Sequence, residues 1–514
     1  MRHFETLSEL LAQGDEDAVA IGAPGLQPLP YRQLRSLVAR TVERLNALGI
    51  GRNDRVAIAL KNGPEMATGF VAVAASATAA PLNPNYRDEQ FEFYLTDLRP
   101  KALLVEAGVD SPSRAVAKRL SIPIIELQPW RHLGAGEFSL ETNGSSFGNG
   151  SASGIAGPDD IALVLHTSGT TSRPNIVPLS HRNIISSTRQ IQNVLQLSPA
   201  DRCLNIMPLF HVHGLMAAVS ASLAAGASVW CTPGFNALRF FSWMNEVNPT
   251  WYTAVPTMHQ AILARSRGHR EILDRRQLRF IRSASAPLPP QVMEKLEKSF
   301  QAPVIEAYGM TEATHQIASN PLPPRARKGG SVGISAGPEI AIMDEQGNLL
   351  PASQRGEIVV RGPLVMAGYY KDPAATAEAS RHGWHHTSDI GYLDPDNYLY
   401  IVDRAKDMII TGGFNVYSAE VEQALLAHPA VLDCAVVGLP DDKWGERVTA
   451  VIQPHPGHDA AADDIRAFVK ARLGSVKTPK QIETWPDLPR SKVGKILKNE
   501  VKSRLLSQAD RDSR

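Results

Sequence analysis

Residues 31–60, YRQLRSLVARTVERLNALGIGRNDRVAIAL, constrain the architecture more than any other stretch. Leu34, Val38, Val42 and Leu45 recur at helical spacing, which predicts a helix with one apolar face. Gly49 and Gly51 then break that helix, and VAIAL follows as a short apolar strand. The helix–glycine–strand order recurs through much of the chain and implies an α/β architecture.

At 514 residues, and with about 150 residues per domain as a guide, the chain has room for about three cores. Lys and Arg total 53 and Asp and Glu total 52, a net charge of +1, so nothing global attracts nucleic acid or an anionic membrane. Cys203, Cys231 and Cys434 lie far apart, with no CxxC spacing and no His cluster, and read as small buried thiols. The first twenty residues carry acids and lack an apolar core, unlike a secretory signal. The apolar stretch from Met66 to Leu82 is too short for a membrane span and reads as a buried helix. A cytoplasmic protein is expected.

Residues 133–160 are rich in Gly, Ser and Asn and read as an exposed excursion. The buried strand IALVLH follows. From Gly330 the chain turns to short strands and turns, GSVGISAGPEIAIMD, GEIVVRG and YLYIVD, a compact β-rich subdomain. After Asp403 helix and strand return in SAEVEQALLAHPAV and DCAVVGLP. The polar cluster Asp403 to Asp407 therefore marks the expected boundary between residues 1–403 and 404–514.

Several segments could carry chemistry. His166-Thr-Ser-Gly-Thr-Thr-Ser-Arg-Pro174 presents hydroxyls and open backbone N–H groups after a strand, which suits phosphate oxygens, although GxxxxGK[ST] is absent. Alone, such a run would usually be a surface turn. Glu306-Ala307-Tyr308-Gly309-Met310-Thr311-Glu312 offers a ring to stack on a base, a hydroxyl for a phosphate and a carboxylate for a hard cation. Asp389 in Thr387-Ser-Asp suits a ribose diol. Pro489-Arg-Ser-Lys-Val-Gly-Lys495 ends on a lysine set by a glycine.

Taken in order, TSGTTS, PLFHVHG, YGMTE, GEIVVRGPLVMAGYYKDPAAT, TSD, DRAKDMIITGGFNVYSAEVE and PRSKVGK resemble the adenylate-forming superfamily of acyl-CoA synthetases, peptide-synthetase adenylation domains and luciferases. ATHQIASNPLPP and RKGGSVG resemble its oxalyl-CoA-synthetase-like branch. The resemblance implies an α/β fold with a large N-terminal domain, made of two α/β subdomains plus a β-rich one, and a small mobile α+β C-terminal domain. It implies an acid–thiol ligase that works through an acyl-AMP, with ATP or acyl-AMP, CoA and Mg²⁺ as cofactors. Its partners would be a small carboxylic acid or its adenylate, with no nucleic acid and no membrane span.

The resemblance also assigns residues. Thr167, Ser168, Gly169, Thr170 and Thr171 would cradle the ATP phosphates. Ser285, Ala286, Pro287 and the segment Glu306, Ala307, Tyr308, Gly309 and Met310 would surround the adenine. Thr311 would meet the α-phosphate, Glu312 the Mg²⁺, and Asp389 with Arg404 the ribose. His211 would sit beside the acyl carboxylate and Lys495 would bridge acid and nucleotide. Lys406 would be the hinge of the C-terminal domain, and Gly412 and Gly413 would line the pantetheine tunnel.

Three departures stand out. The family's phosphate loop continues Arg-Pro-Lys-Gly, whereas this chain reads Arg173-Pro174-Asn175-Ile176. Losing a charge-assisted contact there would slow adenylation by about tenfold to a hundredfold, and a stiffer Ile would add to that. Thioester formation would be spared, which admits a separate adenylating enzyme as partner. Ser388 stands where the family has Gly, and Ser283-Ala-Ser-Ala286 replaces a Gly-rich segment. Two other readings remain: a complete ATP-dependent synthetase, or an adenylating enzyme that loads a carrier protein. Gly329-Gly-Ser-Val-Gly333 matches the GxSxG of serine hydrolases, but it lacks the preceding strand and following helix that an elbow needs.

Overall fold

The computed structural model describes residues 3–142, 147, 153–167, 174–441, 443–458, 461–491 and 494–512. It divides into two compact units, Met1–Ile340 with Val360–His385, and Ala341–Val359 with His386–Arg514. This division by compactness differs from the expected boundary at residue 403, which concerned rotation about Lys406.

The first unit holds two sheets. In the seven-stranded sheet, Ile124–Pro129, Ala102–Glu106, Arg55–Ala59, Thr78–Pro81 and Ile161–Thr167 run parallel. Phe138–Glu141 and Asn175–Ser180 close its two edges antiparallel. The helix Tyr31–Ala47 and the strand Arg55–Ala59 stand as the sequence predicts. The excursion at 133–160 differs in that it contributes the edge strand Phe138–Glu141. The stretch from Met66 to Leu82 is a helix, Pro64–Ala74, followed by the strand Thr78–Pro81. Every residue of that helix is buried, because it packs on strands of both sheets, which explains a helix apolar all round.

The second sheet has nine strands. Val304–Tyr308, Phe280–Ser283, Trp251–Ala254, Arg202–Asn205, Ser228–Cys231 and Val19–Gly22 form its parallel centre. From Arg202–Asn205 the chain goes to Ser228–Cys231 on one side and then to Trp251–Ala254 on the other. Strand order therefore reverses there, and a crevice at the carboxyl ends is the expected ligand position in such a sheet.

The second unit contains the β-rich part, with a four-stranded sheet of Glu339–Met343, Gly356–Arg361, His385–Leu393 and Leu399–Arg404. Its other sheet is built on the long hairpin Val431–Asp441 and Gly445–Pro454. Along Val431–Asp441, Cys434 and Val436 face the helices Ser418–Leu426 and Ala462–Lys477, whereas Ala435, Val437 and Leu439 face Lys498–Asp512. This alternation covers both faces of the strand. All three cysteines are buried and free. Among the described residues, no helix is long and apolar enough to cross a membrane.

Candidate active site

At the carboxyl ends of the nine-stranded sheet, three strands deliver polar side chains into an apolar surround. Thr253 is the penultimate residue of Trp251–Ala254, Arg282 that of Phe280–Ser283, and Glu306 lies in Val304–Tyr308. His213 opens an eight-residue π-helix, His213–Ser220, a rare form frequent at functional sites. Gly214 is required there because a Cβ would lie 2.4 Å from the Pro208 carbonyl oxygen.

Arg282 is fully buried, and every partner described for it is neutral. Its Nη2 donates to His315 Nε2 and to Gln316 Oε1, each at 3.0 Å, and its Nη1 lies 3.3 Å from His213 Nε2. Burial lowers its pKa to about 9, which leaves it cationic at neutral pH. Burial, together with the neighbouring histidines and Arg282, holds His213 and His315 well below the usual imidazole range, so both are neutral. A guanidinium only donates, so both histidines accept through Nε2 and carry their protons on Nδ1. His213 Nδ1 then donates to Ser285 Oγ at 3.0 Å, which turns the Ser285 hydroxyl hydrogen away from His213. His211 Nδ1 accepts the His213 amide at 3.1 Å, which puts the His211 proton on Nε2. The result is a buried positive charge behind a set of oriented donors.

The sequence reading assigned His211 to the acyl carboxylate and Ser285 to the adenine, and did not single out Arg282, His213, His315, Thr253 or Gln316. Two signals were available: an arginine inside the apolar strand FIRS, and the His-Gln pair directly after YGMTEAT.

The segment from Glu306 to Glu312 is present as a strand end and a short 3₁₀ turn, Thr311–Ala313. A Cβ on Gly309 would fall 1.2 Å from the His315 carbonyl oxygen, so only glycine lets the chain fold back and present His315. Glu306 is buried and accepts the Leu288 amide at 3.0 Å, which braces the end of Ser285-Ala286-Pro287. Burial raises its pKa to about 7. Tyr308 is 9% exposed. Glu312 accepts the Tyr369 hydroxyl at 3.1 Å, and its backbone carbonyl accepts the Met366 amide at 2.8 Å. A buried carboxylate oriented in this way fits a hard divalent cation. Tyr369 is another residue the sequence reading did not single out.

Ser168, Gly169, Thr170 and Thr171 lie outside the described residues. The strands flanking them pair antiparallel, with Thr167 opposite Asn175 and His166 opposite Ile176. Ile176 is 5% exposed and packs among Ala57, Ala80, Leu82 and Val164. It is therefore a core residue of the strand Asn175–Ser180, and the expected stiffening of the loop by its β-branch is not its role.

In the second unit, Asp389 and Arg404 are cross-strand partners, with Arg404 Nε 3.2 Å from Asp389 Oδ1. Ser388 has φ 59°, the left-handed region that explains a glycine at this position in the family pattern. Glu357 ties this segment down, accepting the Ser388 amide at 2.9 Å and lying 2.7 Å from His386 Nδ1. Gly412 and Gly413, at φ 57° and 80°, form the two-residue turn between Ile409–Thr411 and Phe414–Val416. Such a turn needs positive φ at both positions. Lys406 lies in the 3₁₀ turn Ala405–Asp407. Lys495 sits on a tight turn in which the Ser491 amide donates to the Lys495 carbonyl at 2.7 Å. Ser331 of the GxSxG match is buried in a loop ahead of a two-residue strand, with no elbow around it.

The reversed-order parallel sheet thus carries a buried cation among neutral histidines at its carboxyl ends, beside a tyrosine-braced acidic loop. Residues 9–370 match the AMP-binding enzyme family and residues 420–495 match the AMP-binding enzyme C-terminal domain. A protein from Arabidopsis thaliana named oxalate–CoA ligase is 42% identical over 98% of this chain and 99% of its own length. The oxalate–CoA ligase of Saccharomyces cerevisiae is 37% identical over 87% of this chain and 86% of its own. The crystal structure of ATP-bound MatB from Rhodopseudomonas palustris superposes with a TM-score of 0.87 at 30% identity, covering 98% of this chain and 99% of that one. The chain belongs to the AMP-binding enzyme family and is an AMP-forming acyl-CoA synthetase, an acid–thiol ligase.

Proposed function

We propose that the acid is a small dicarboxylate of the oxalate class, joined to CoA by a single chain that also makes the adenylate. The observation that carries this reading is Arg282, a buried cation with no carboxylate among its described partners. An unpaired buried charge is costly, and a substrate carboxylate held by the Ser285 and His315 donors would neutralise it. The relatives named as oxalate–CoA ligases support the same class. Leu215 and Met216, which follow His213, are fully buried in the core, which favours a small acid over a bulky one.

In this reading one carboxylate is held at the Arg282 cluster while the other attacks the α-phosphorus of ATP and pyrophosphate leaves. Thr167 and the residues after it, with Thr311, would hold phosphate oxygens. Ser285 to Pro287 and Glu306 to Met310 would shape the adenine pocket, and Asp389 with Arg404 would take the ribose. Lys495 would stabilise charge at phosphorus. Glu312 would hold Mg²⁺, which supplies charge neutralisation when bound. CoA then displaces AMP at the acyl carbon, with Gly412 and Gly413 beside the pantetheine after rotation at Lys406, the point where residues 1–403 and 404–514 would part.

Asn175 in place of a lysine slows the first half-reaction without abolishing it. Delivery of acyl-AMP by a separate enzyme draws no support from the relatives, and neither does a carrier protein in place of CoA.

The test is ATP–pyrophosphate exchange and CoA ligation with oxalate, longer dicarboxylates and monocarboxylates. Oxalate should lead in kcat/KM, and Arg282→Met should erase its lead by about a hundredfold. Asn175→Lys should raise exchange by about tenfold or more and leave CoA transfer from presynthesised acyl-AMP unchanged. A monocarboxylate that leads the panel overturns the substrate class, and exchange unmoved by Asn175→Lys overturns the slowed first step.

A further inference from the structure

Lys495 is exposed on a turn of a few residues, and a lysine that acts by position needs that turn held still. Main-chain bonds close the turn: Gly494 donates to the Ser491 carbonyl at 2.8 Å and Leu497 to the Pro489 carbonyl at 2.8 Å. Ser491 Oγ also accepts the Lys495 amide at 3.1 Å. These bonds define the turn's shape, and two cations fix where it stands. On one side Arg490 pairs with Asp433 at 2.7 Å and donates to Gln453 Oε1 at 3.2 Å. On the other, Lys498 Nζ lies 2.8 Å from Glu422 Oε1 and donates to Ser418 Oγ at 2.6 Å.

The Lys498 side leads further. Lys498 and Glu422 keep only 20% and 17% of their side-chain surface exposed. Burial alone would lower the Lys498 pKa, but Glu422 and Asp403 outweigh it and raise it, so the ammonium stays charged. Ser418, which Lys498 meets, opens the helix Ser418–Leu426, and the Asp403 carboxylate caps that helix through the Ser418 amide and hydroxyl. Asp403 also accepts the Arg404 amide at 2.8 Å. One continuous network thus runs from the residue after the Lys495 turn to the residue before Arg404.

We propose that Lys498 is a positioning residue for adenylation: pinned to Glu422 and Ser418, it fixes the Lys495 turn to the chain that carries Arg404. This rests on the reading that Lys495 serves the first half-reaction only. Lys498→Met should lower ATP–pyrophosphate exchange by about thirtyfold to a hundredfold, the effect of an ångström-scale misplacement, while CoA transfer from presynthesised acyl-AMP stays within about threefold. Lys498→Arg should recover most of the exchange. Hydrogen exchange at the Gly494, Lys495 and Leu497 amides should rise about tenfold or more in Lys498→Met, with the Val431–Asp441 hairpin unchanged. The double variant Lys498→Met/Glu422→Gln removes both charges of the pair, leaves Asp403 to its hydrogen bonds with Ser418 and Arg404, and should show the same split.

Equal losses in both half-reactions, or unchanged protection of the turn amides, overturn the proposal. Lys495→Ala separates the two ideas. If that variant keeps full exchange, the reading of Lys495 fails. If it loses exchange while Lys498→Met keeps it, only the positioning role fails.

Discussion

Ser285 and Ser388 occupy positions where the family pattern has or favours glycine, and both sit at positive φ, 72° and 59°. An L-residue in that region is strained by about 1–2 kcal/mol. The chain tolerates the strain at each place for a different reason. Ser388 is exposed and its side chain has no described hydrogen bond, whereas Ser285 Oγ accepts a hydrogen bond from His213 Nδ1. Ser388→Gly should therefore raise stability by about 1 kcal/mol, read from the denaturant midpoint, with oxalate KM unchanged. Ser285→Gly should gain a similar stability but raise KM for the dicarboxylate by about tenfold, because the oriented hydroxyl is lost. Glu306 offers a pH test. Between the ordinary carboxyl value of 4.5 and about 7, the folded chain holds more protons at this site than the unfolded one. Stability contributed here falls as pH rises through that window and levels off above it. Glu306→Gln keeps an oxygen for the Leu288 amide and removes the buried charge. It should be more stable than the parent by about 2–3 kcal/mol at pH 8 and no different near pH 4.5, as measured by denaturant unfolding at both values.

Among the elements, the turn at Gly412 and Gly413 gives the sharpest division of labour. A β-branched residue cannot hold φ 80°, so Gly413→Val breaks the two-residue turn between Ile409–Thr411 and Phe414–Val416. If this hairpin serves CoA alone, transfer from acyl-AMP should drop by about tenfold or more and pyrophosphate exchange should stay within about twofold. Equal losses would remove the hairpin from the pantetheine path. The elements also show what a sequence can tell. The helix Tyr31–Ala47 and the strand Ile161–Thr167 were legible because their apolar periodicity is local. The edge strand Phe138–Glu141 was not, since its neighbours are glycine, serine and asparagine and only pairing with Ile124–Pro129 makes it a strand. Pairs such as Asp389 with Arg404 depend on cross-strand register and came from family resemblance, not from spacing. Arg282 escaped because an arginine in FIRS marks a charge within an apolar strand but does not tell that His213 and His315, distant in sequence, converge on it.

For the whole molecule, the question is whether one chain carries an acyl-AMP from its making to its use. The residues expected to act on ATP and acid lie mostly in the first unit, whereas Lys495 and the Gly412–Gly413 turn lie in the second. Lys495→Ala should keep CoA transfer and lose adenylation, and Gly413→Val should do the reverse. Mixed in equal amounts, the two variants can make acyl-CoA only if the adenylate leaves one chain and enters another. A bound adenylate is presented at an effective concentration of about 10⁵ M or more, far above any free pool, so a chain that does both steps gains nothing by releasing it. The mixture should therefore make acyl-CoA from ATP, oxalate and CoA at less than about a tenth of the parent rate. Recovery to near half that rate would show adenylate passing freely between chains. Asn175 would then mark a chain that can draw its adenylate from elsewhere, and the single-chain reading would fall.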